Sequence, residues 1–221
     1  MPTAEVRWFF EGPVRADIEK WFGLGGLAQY AKPREDHYLR FPAQLGLNIK
    51  LREGRLEVKS LVGTPGLRTF ATGIAGNVEL WEKRIGGNAV VAEFEKLRSS
   101  APHLWIAVGK ERTLRTFSLE GASIQEVAAG KVFLSTGCNV ELTKITVEGA
   151  AYWSFGFEAY GEPSRVDAYM QKIAGHIFAD NHRPSHPFPA ANSRSYHEWL
   201  ERFSKMGPAR DEDRGDGKQK A

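Results

Sequence analysis

Between residues 47 and 61 the chain carries Asn48, Lys50 and Arg52, then a Glu53-Gly54 pair, then Arg55, Glu57 and Lys59, all at alternate positions. A two-residue turn containing Gly between alternating runs predicts a β-hairpin. Pairing through that turn sets Arg52 opposite Arg55, Lys50 opposite Glu57 and Asn48 opposite Lys59, on one face because strand side chains alternate. Leu47, Ile49, Leu51, Leu56 and Val58 fall on the other face. A polar face with four cations and one carboxylate is either the solvated side of an antiparallel sheet or one wall of an anion site.

Later segments repeat the pattern. Lys110 and Arg112 share a face, and Asn139, Glu141 and Thr143 oppose Cys138, Val140 and Leu142. From Tyr152 onward, Trp153, Phe155 and Phe157 alternate with Ser154, Gly156, Glu158 and Tyr160. Strands this apolar on one side need covering there. Should the polar sides converge on the lumen of a closed barrel, that lumen suits a polyanion with a divalent metal, because guanidinium and ammonium groups pair with phosphoryl oxygens while carboxylates hold hard cations.

The elements that would position these residues read as follows. Strands are predicted at Ala4 to Phe10, Asp36 to Leu39, Leu45 to Arg52, Arg55 to Val62, Val78 to Lys83, Leu104 to Arg112, Arg115 to Leu119, Lys131 to Ser135, Asn139 to Val147 and Tyr152 to Tyr160. Helices are predicted at Val14 to Phe22, closed by Gly23, at Ala89 to Arg98, at Pro163 to Phe178, and from Ser193 or Ser195 through Phe203. Asn181 to Asn192 holds three prolines and reads as a loop. The order predicts an α+β fold, an antiparallel eight-stranded tunnel-like barrel with helices packed outside. Residues 1–206 are expected to form one domain, and 207–221, which lack any large apolar residue, a disordered polar tail.

Composition sets bounds. The 221 residues are 42% hydrophobic and 26% charged, as in ordinary globular proteins. With 30 Lys and Arg against 27 Asp and Glu the net charge is +3, too small to indicate nucleic-acid binding by itself. Basic and aromatic positions also fall on opposite strand faces, which argues against base stacking beside a basic groove. The single cysteine, Cys138, excludes an intrachain disulfide and reads as a small buried strand residue. No signal peptide or apolar run near the length of a membrane span is present, so a cytoplasmic protein without membrane partners is expected. Gly23-Leu24-Gly25-Gly26 trails a helix, unlike a dinucleotide fingerprint, and there is no P-loop. His176, His182 and His186 lack a carboxylate spaced to complete a zinc site.

On these residues the chain resembles the CYTH domain of the triphosphate tunnel metalloenzymes. The resemblance rests on AEVRWFF, DHYL, the LNIKLREGRLEVKSL hairpin, WIAVGKER with its W-x-x-x-x-K-x-R pattern, VELTKI and FGFEAYG, and spans about residues 4 to 178. It implies triphosphate binding on Lys50, Arg52, Lys59, Lys110 and Arg112, and Mg²⁺ or Mn²⁺ held by Glu5, Glu141 and Glu158. The family's opening E-x-E-x-K reads Glu5, Arg7, Phe9 here, and its close Glu-x-Glu pair is absent, since Gly156 and Tyr160 flank Glu158. The expected function is metal-dependent hydrolysis of inorganic tripolyphosphate or an organic triphosphate. The alternative is a non-catalytic binding module for phosphorylated metabolites or polyphosphate; a nucleotide cyclase would need a base pocket.

Overall fold

The hairpin closes on Glu53 and Gly54, both with positive φ (46° and 70°), the backbone that a type I′ turn requires. Its register pairs Arg52 with Arg55, Lys50 with Glu57 and Asn48 with Lys59, as the alternation predicts. The computed structural model describes residues 2–24, 27–40, 45–129, 133–179 and 184–204.

The strands are β1 (Pro2–Glu11), β2 (Gln29–Tyr30), β3 (Arg34–Leu39), β4 (Leu47–Arg52), β5 (Arg55–Ala71), β6 (Ile74–Ile85), β7 (Trp105–Ser118), β8 (Gln125–Val127), β9 (Gly137–Val147) and β10 (Ala150–Tyr160). The helices are α1 (Ala16–Gly23), α2 (Asn88–Ser100), α3 (Val166–Ile177) and α4 (Tyr196–Ser204). Eight strands in the order β7-β3-β4-β5-β6-β1-β10-β9 close into an antiparallel barrel through the β7–β9 pairing, and β2 and β8 attach to β7. The fold is therefore α+β with a closed barrel.

Three predicted boundaries are corrected. β5 continues past Val62 through Gly63, Pro65 and Gly66 to Ala71, because register shifts beside these residues absorb a proline that has no N–H to donate. The predicted strands before and after residue 113 are one strand, held by unbroken pairing with β9 from Gly109 to Ser118. Of the strand predicted at Lys131 to Ser135, Lys131 and Val132 lie outside the described residues, and Phe133 to Ser135 form no strand, Phe133 being 94% exposed. The predicted tail and His182 also lie outside them.

The main apolar core lies outside the barrel. Val6, Trp8, Val140, Leu142, Trp153, Phe155 and Phe157 face outward from β1, β9 and β10, where Ile18 and Phe22 of α1 and Met170, Ile173 and Ile177 of α3 cover them. Leu51, Leu56 and Trp105 are covered by Val91, Phe94 and Leu97 of α2. Burying these outward faces leaves the polar faces no position but the lumen.

One end of that lumen is apolar. Phe9, Tyr38, Ile106, Val108, Ile145 and Val147 pack there against Trp199, Leu200 and Phe203 of α4. Trp199 stacks on Phe9 with ring centroids 4.6 Å apart. Ser195 precedes α4, and its backbone N–H donates to the Glu198 carboxylate at 3.1 Å, half of a capping box. Among the described residues no helix is long and apolar enough to cross a membrane.

Candidate functional site

Inside the barrel lies a cavity of about 120 Å³ that opens to solvent at a mouth. Nine cations line it, Arg7, Arg34, Lys50, Arg52, Lys59, Lys83, Lys110, Arg112 and Arg194, against five carboxylates, Glu5, Glu57, Glu79, Glu141 and Glu158. All eight residues singled out from the sequence are brought to this one cavity. Arg55, at the hairpin turn, is exposed and does not line it.

The first group of charges centres on Asp36, which is fully buried. Arg34 Nε and Arg52 Nε lie 3.0 and 3.1 Å from its Oδ1, and Lys110 Nζ and Lys50 Nζ lie 3.1 and 3.7 Å from its Oδ2. Glu57 adds contacts to Lys50 at 3.2 Å and Arg52 at 3.0 Å. Burial alone would raise the Asp36 carboxyl, but Lys110, Lys50, Arg52 and Arg34 hold it far below the usual range. Burial and the neighbouring Lys110 bring Lys50 down to about 7, against the pull of Asp36. Burial likewise brings Lys110 down to about 7. At both lysines burial outweighs the neighbouring carboxylates, and an added anion would raise both.

A second group runs across β1, β10 and β9. Arg7 on β1 pairs with Gly156 on β10, which pairs with Glu141 on β9. The Arg7 guanidinium passes over the glycine and donates to Glu141 at 3.1 Å and to Ser154 Oγ at 3.0 Å. A Cβ at position 156 would lie 2.9 Å from the Val6 carbonyl oxygen and 3.1 Å from Arg7 Cζ. Glu141 also accepts from Arg112 at 2.8 Å and from Thr143 at 2.7 Å. Burial would raise the Glu141 carboxyl, but Arg7 and Arg112 hold it far below the normal range.

The third group is a cross-strand row of Glu79, Glu5 and Glu158 on β6, β1 and β10. Lys59 Nζ lies 2.5 Å from Glu5 Oε1 and 3.1 Å from Glu158 Oε1. Burial would lower the ammonium, yet Glu158 and Glu5 raise it well above its ordinary value. Glu79 accepts from Trp81 Nε1 at 3.0 Å, and among the described residues no cation lies within 4 Å of it. Burial, with Glu198 and Glu5 nearby, pushes its carboxyl up to about 7.

The three glutamates assigned to a metal by resemblance are not assembled as a metal set. Glu5 and Glu158 converge on an ammonium, Glu141 is held by two guanidiniums, and no group of three His, Cys, Asp or Glu side chains among the described residues could hold a metal ion. As arranged here, the donor set does not fit a divalent cation.

Sequence reasoning missed Arg34, Asp36, Tyr38, Glu79, Lys83, Arg194 and Tyr196. The signal for most of them was present: Arg34, Asp36 and Tyr38 alternate along β3, as do Asn77, Glu79, Trp81 and Lys83 along β6. Arg194 and Tyr196 had no local signal, because α4 reaches the lumen only through tertiary packing.

No family model matches the chain, and no curated protein matches it. Solved structures similar to it include a conserved hypothetical protein from Pyrococcus furiosus, 13% identical with a TM-score of 0.44, covering 88% of this chain and 98% of that one. A protein from Pyrococcus horikoshii OT3 is 16% identical with a TM-score of 0.45, covering 90% and 99%. A second from the same organism is 14% identical with a TM-score of 0.42, covering 88% and 98%.

Proposed function

We propose that the barrel binds a small molecule bearing a triphosphate or short polyphosphate group, which enters through the open mouth and is held by Lys50, Arg52, Lys110 and Arg112. The observation that carries this reading is the excess of cations, nine against six carboxylates with Asp36 counted, converging on one cavity. Two of them, Lys50 and Lys110, are depressed to about 7 while no ligand is bound, so a polyanion would gain by restoring their charge. The resemblance to CYTH tunnel domains supports the same ligand class. Binding without turnover accords best with carboxylates that are already engaged by protein cations.

The second reading is hydrolysis of the bound triphosphate with Mg²⁺ or Mn²⁺. Its support is the pair Glu5 and Glu158, directly opposed in the β1–β10 register on the cavity wall.

Thermal melting with inorganic tripolyphosphate, pyrophosphate and nucleoside triphosphates, at matched ionic strength, tests the proposal. A ligand that binds only the folded state stabilises by about 2.7 kcal/mol at a hundredfold excess over Kd. Phosphate release measured alongside, with and without Mg²⁺ or Mn²⁺, separates the two readings. Absence of any shift with every phosphate compound would overturn both.

A further inference from the structure

Side-chain cations stand against three of the tunnel's glutamates. Lys59 reaches from β5 over β6 to lie between Glu5 and Glu158, 2.5 and 3.1 Å from their nearest oxygens. Arg7 lies across Gly156 and contacts Glu141 at 3.1 Å, in space that only a glycine at 156 leaves free. These are the three glutamates that would otherwise be available to a metal.

We infer that Lys59 and Arg7 are resident cations of this tunnel, taking the place of a divalent metal, and that the tunnel binds its polyphosphate ligand metal-free; the inference rests on the polyphosphate reading above. Three considerations carry it. The first is charge: with Asp36 counted, the site already has three more cations than carboxylates. Each phosphate monoester carries about −1.5 to −2 at neutral pH, so a bare polyphosphate matches that excess, whereas a divalent cation would cancel two of its negative charges.

The second is desolvation. For Mg²⁺ to reach Glu5 and Glu158 it would have to shed water, which it does reluctantly, and expel an ammonium into a cavity already crowded with cations. The third is the space beside Arg7. Arg7 stands where the resemblance expects a glutamate, and Gly156 stands two residues before Glu158, so the arginine and the space it needs occur together. Glu79 is the exception, having no cation within 4 Å among the described residues, but its direct neighbour in the row is Glu5, whose Oε1 is on Lys59.

The test uses the full chain and two probes. Calorimetric titration with inorganic tripolyphosphate is run in EDTA and in excess Mg²⁺, and Mn²⁺ is titrated alone with free Mn²⁺ read by electron paramagnetic resonance. Tripolyphosphate should bind in EDTA at least as tightly as in Mg²⁺, and wild type should take up no Mn²⁺ at micromolar concentrations. Lys59→Gln, which leaves Glu5 and Glu158 without their cation, should acquire Mn²⁺ binding. Arg7→Gln serves the same purpose at Glu141 if Lys59→Gln does not fold. Stoichiometric Mn²⁺ uptake by wild type that is lost in Glu158→Gln would overturn the inference. So would tripolyphosphate binding at least about tenfold weaker in EDTA, a difference of about 1.4 kcal/mol. If tripolyphosphate binds in neither condition, the polyphosphate reading fails, while Mn²⁺ uptake confined to Lys59→Gln would still support the resident cation.

Discussion

Lys110 on β7 points its ammonium at the ring of Tyr196, the first residue of α4, with Nζ 3.8 Å from the ring centroid. The same nitrogen donates to Tyr38 Oη at 2.6 Å and lies 3.1 Å from Asp36. The helix that closes one end of the barrel therefore also forms part of the charged site. In such desolvated surroundings a cation–π contact is worth about 2 kcal/mol. Tyr196→Leu should keep the apolar plug yet lower stability by about 1–2 kcal/mol. A double-mutant cycle with Lys110→Met checks this, and additive losses would show that the two side chains do not interact.

Polyphosphate affinity should fall as pH rises from about 7 to 9. Lys50 and Lys110, lowered to about 7 mainly by burial, are part-neutral at pH 7 without ligand and lose their remaining charge above it. Glu79, raised to about 7 by burial, gains negative charge over the same interval, which acts in the same direction. A bound polyanion favours the protonated lysines, so binding takes up protons. Calorimetry in buffers of differing ionisation enthalpy would detect the uptake, and an affinity that is level from pH 7 to 9 would contradict it.

Glu79→Gln should stabilise the ligand-free protein at pH 8 and matter little at pH 5. The folded carboxyl, raised to about 7, stays protonated at pH 5; above 7 it ionises inside the wall, and the penalty accumulated between 4.5 and 7 is then fully present. Glutamine keeps an oxygen to accept from Trp81. Each pH unit that separates the raised value from the ordinary one is worth about 1.36 kcal/mol, so after solvent screening at the cavity mouth the gain is on the order of 2 kcal/mol. Melting temperatures of both proteins across pH 5 to 8 provide the check; parallel curves would remove Glu79 from this role.

Glu141→Gln should act oppositely on stability and on ligand response. It leaves the guanidiniums of Arg7 and Arg112 without their shared carboxylate, and breaking a buried ion pair costs about 3 kcal/mol or more. The ligand-free melting temperature should drop. The tripolyphosphate-induced rise should grow, because the polyanion then meets two unneutralised guanidiniums. A smaller rise together with an unchanged ligand-free melting temperature would instead make Glu141 a direct contributor to ligand binding.

Much of this molecule was legible along the chain. A strand's two-residue period fixes which side chains share a face, so the hairpin register and the placing of Lys50, Lys59, Lys110, Glu141 and Glu158 on polar faces opposite apolar ones followed from alternation, while barrel closure decided that those polar faces point inward. Strand continuity past Val62 and across Thr113 did not, because bulges and pairing partners decide it. Alternation places a side chain on a face but cannot say which distant charge it meets. That Lys59 reaches over β6 to Glu5 and Glu158, that Arg7 needs Gly156 bare to reach Glu141, and that α4 brings Tyr196 to Lys110 are consequences of barrel closure. Closure joins Lys59 to Glu5 across 54 positions and Arg7 to Glu141 across 134, and no local pattern encodes the outcome. Sequence therefore determined the charge of the tunnel, while the tertiary structure decided how those charges pair, Lys59 with Glu5 and Glu158 and Arg7 with Glu141, because pairing across strands is set by closure and not by local order.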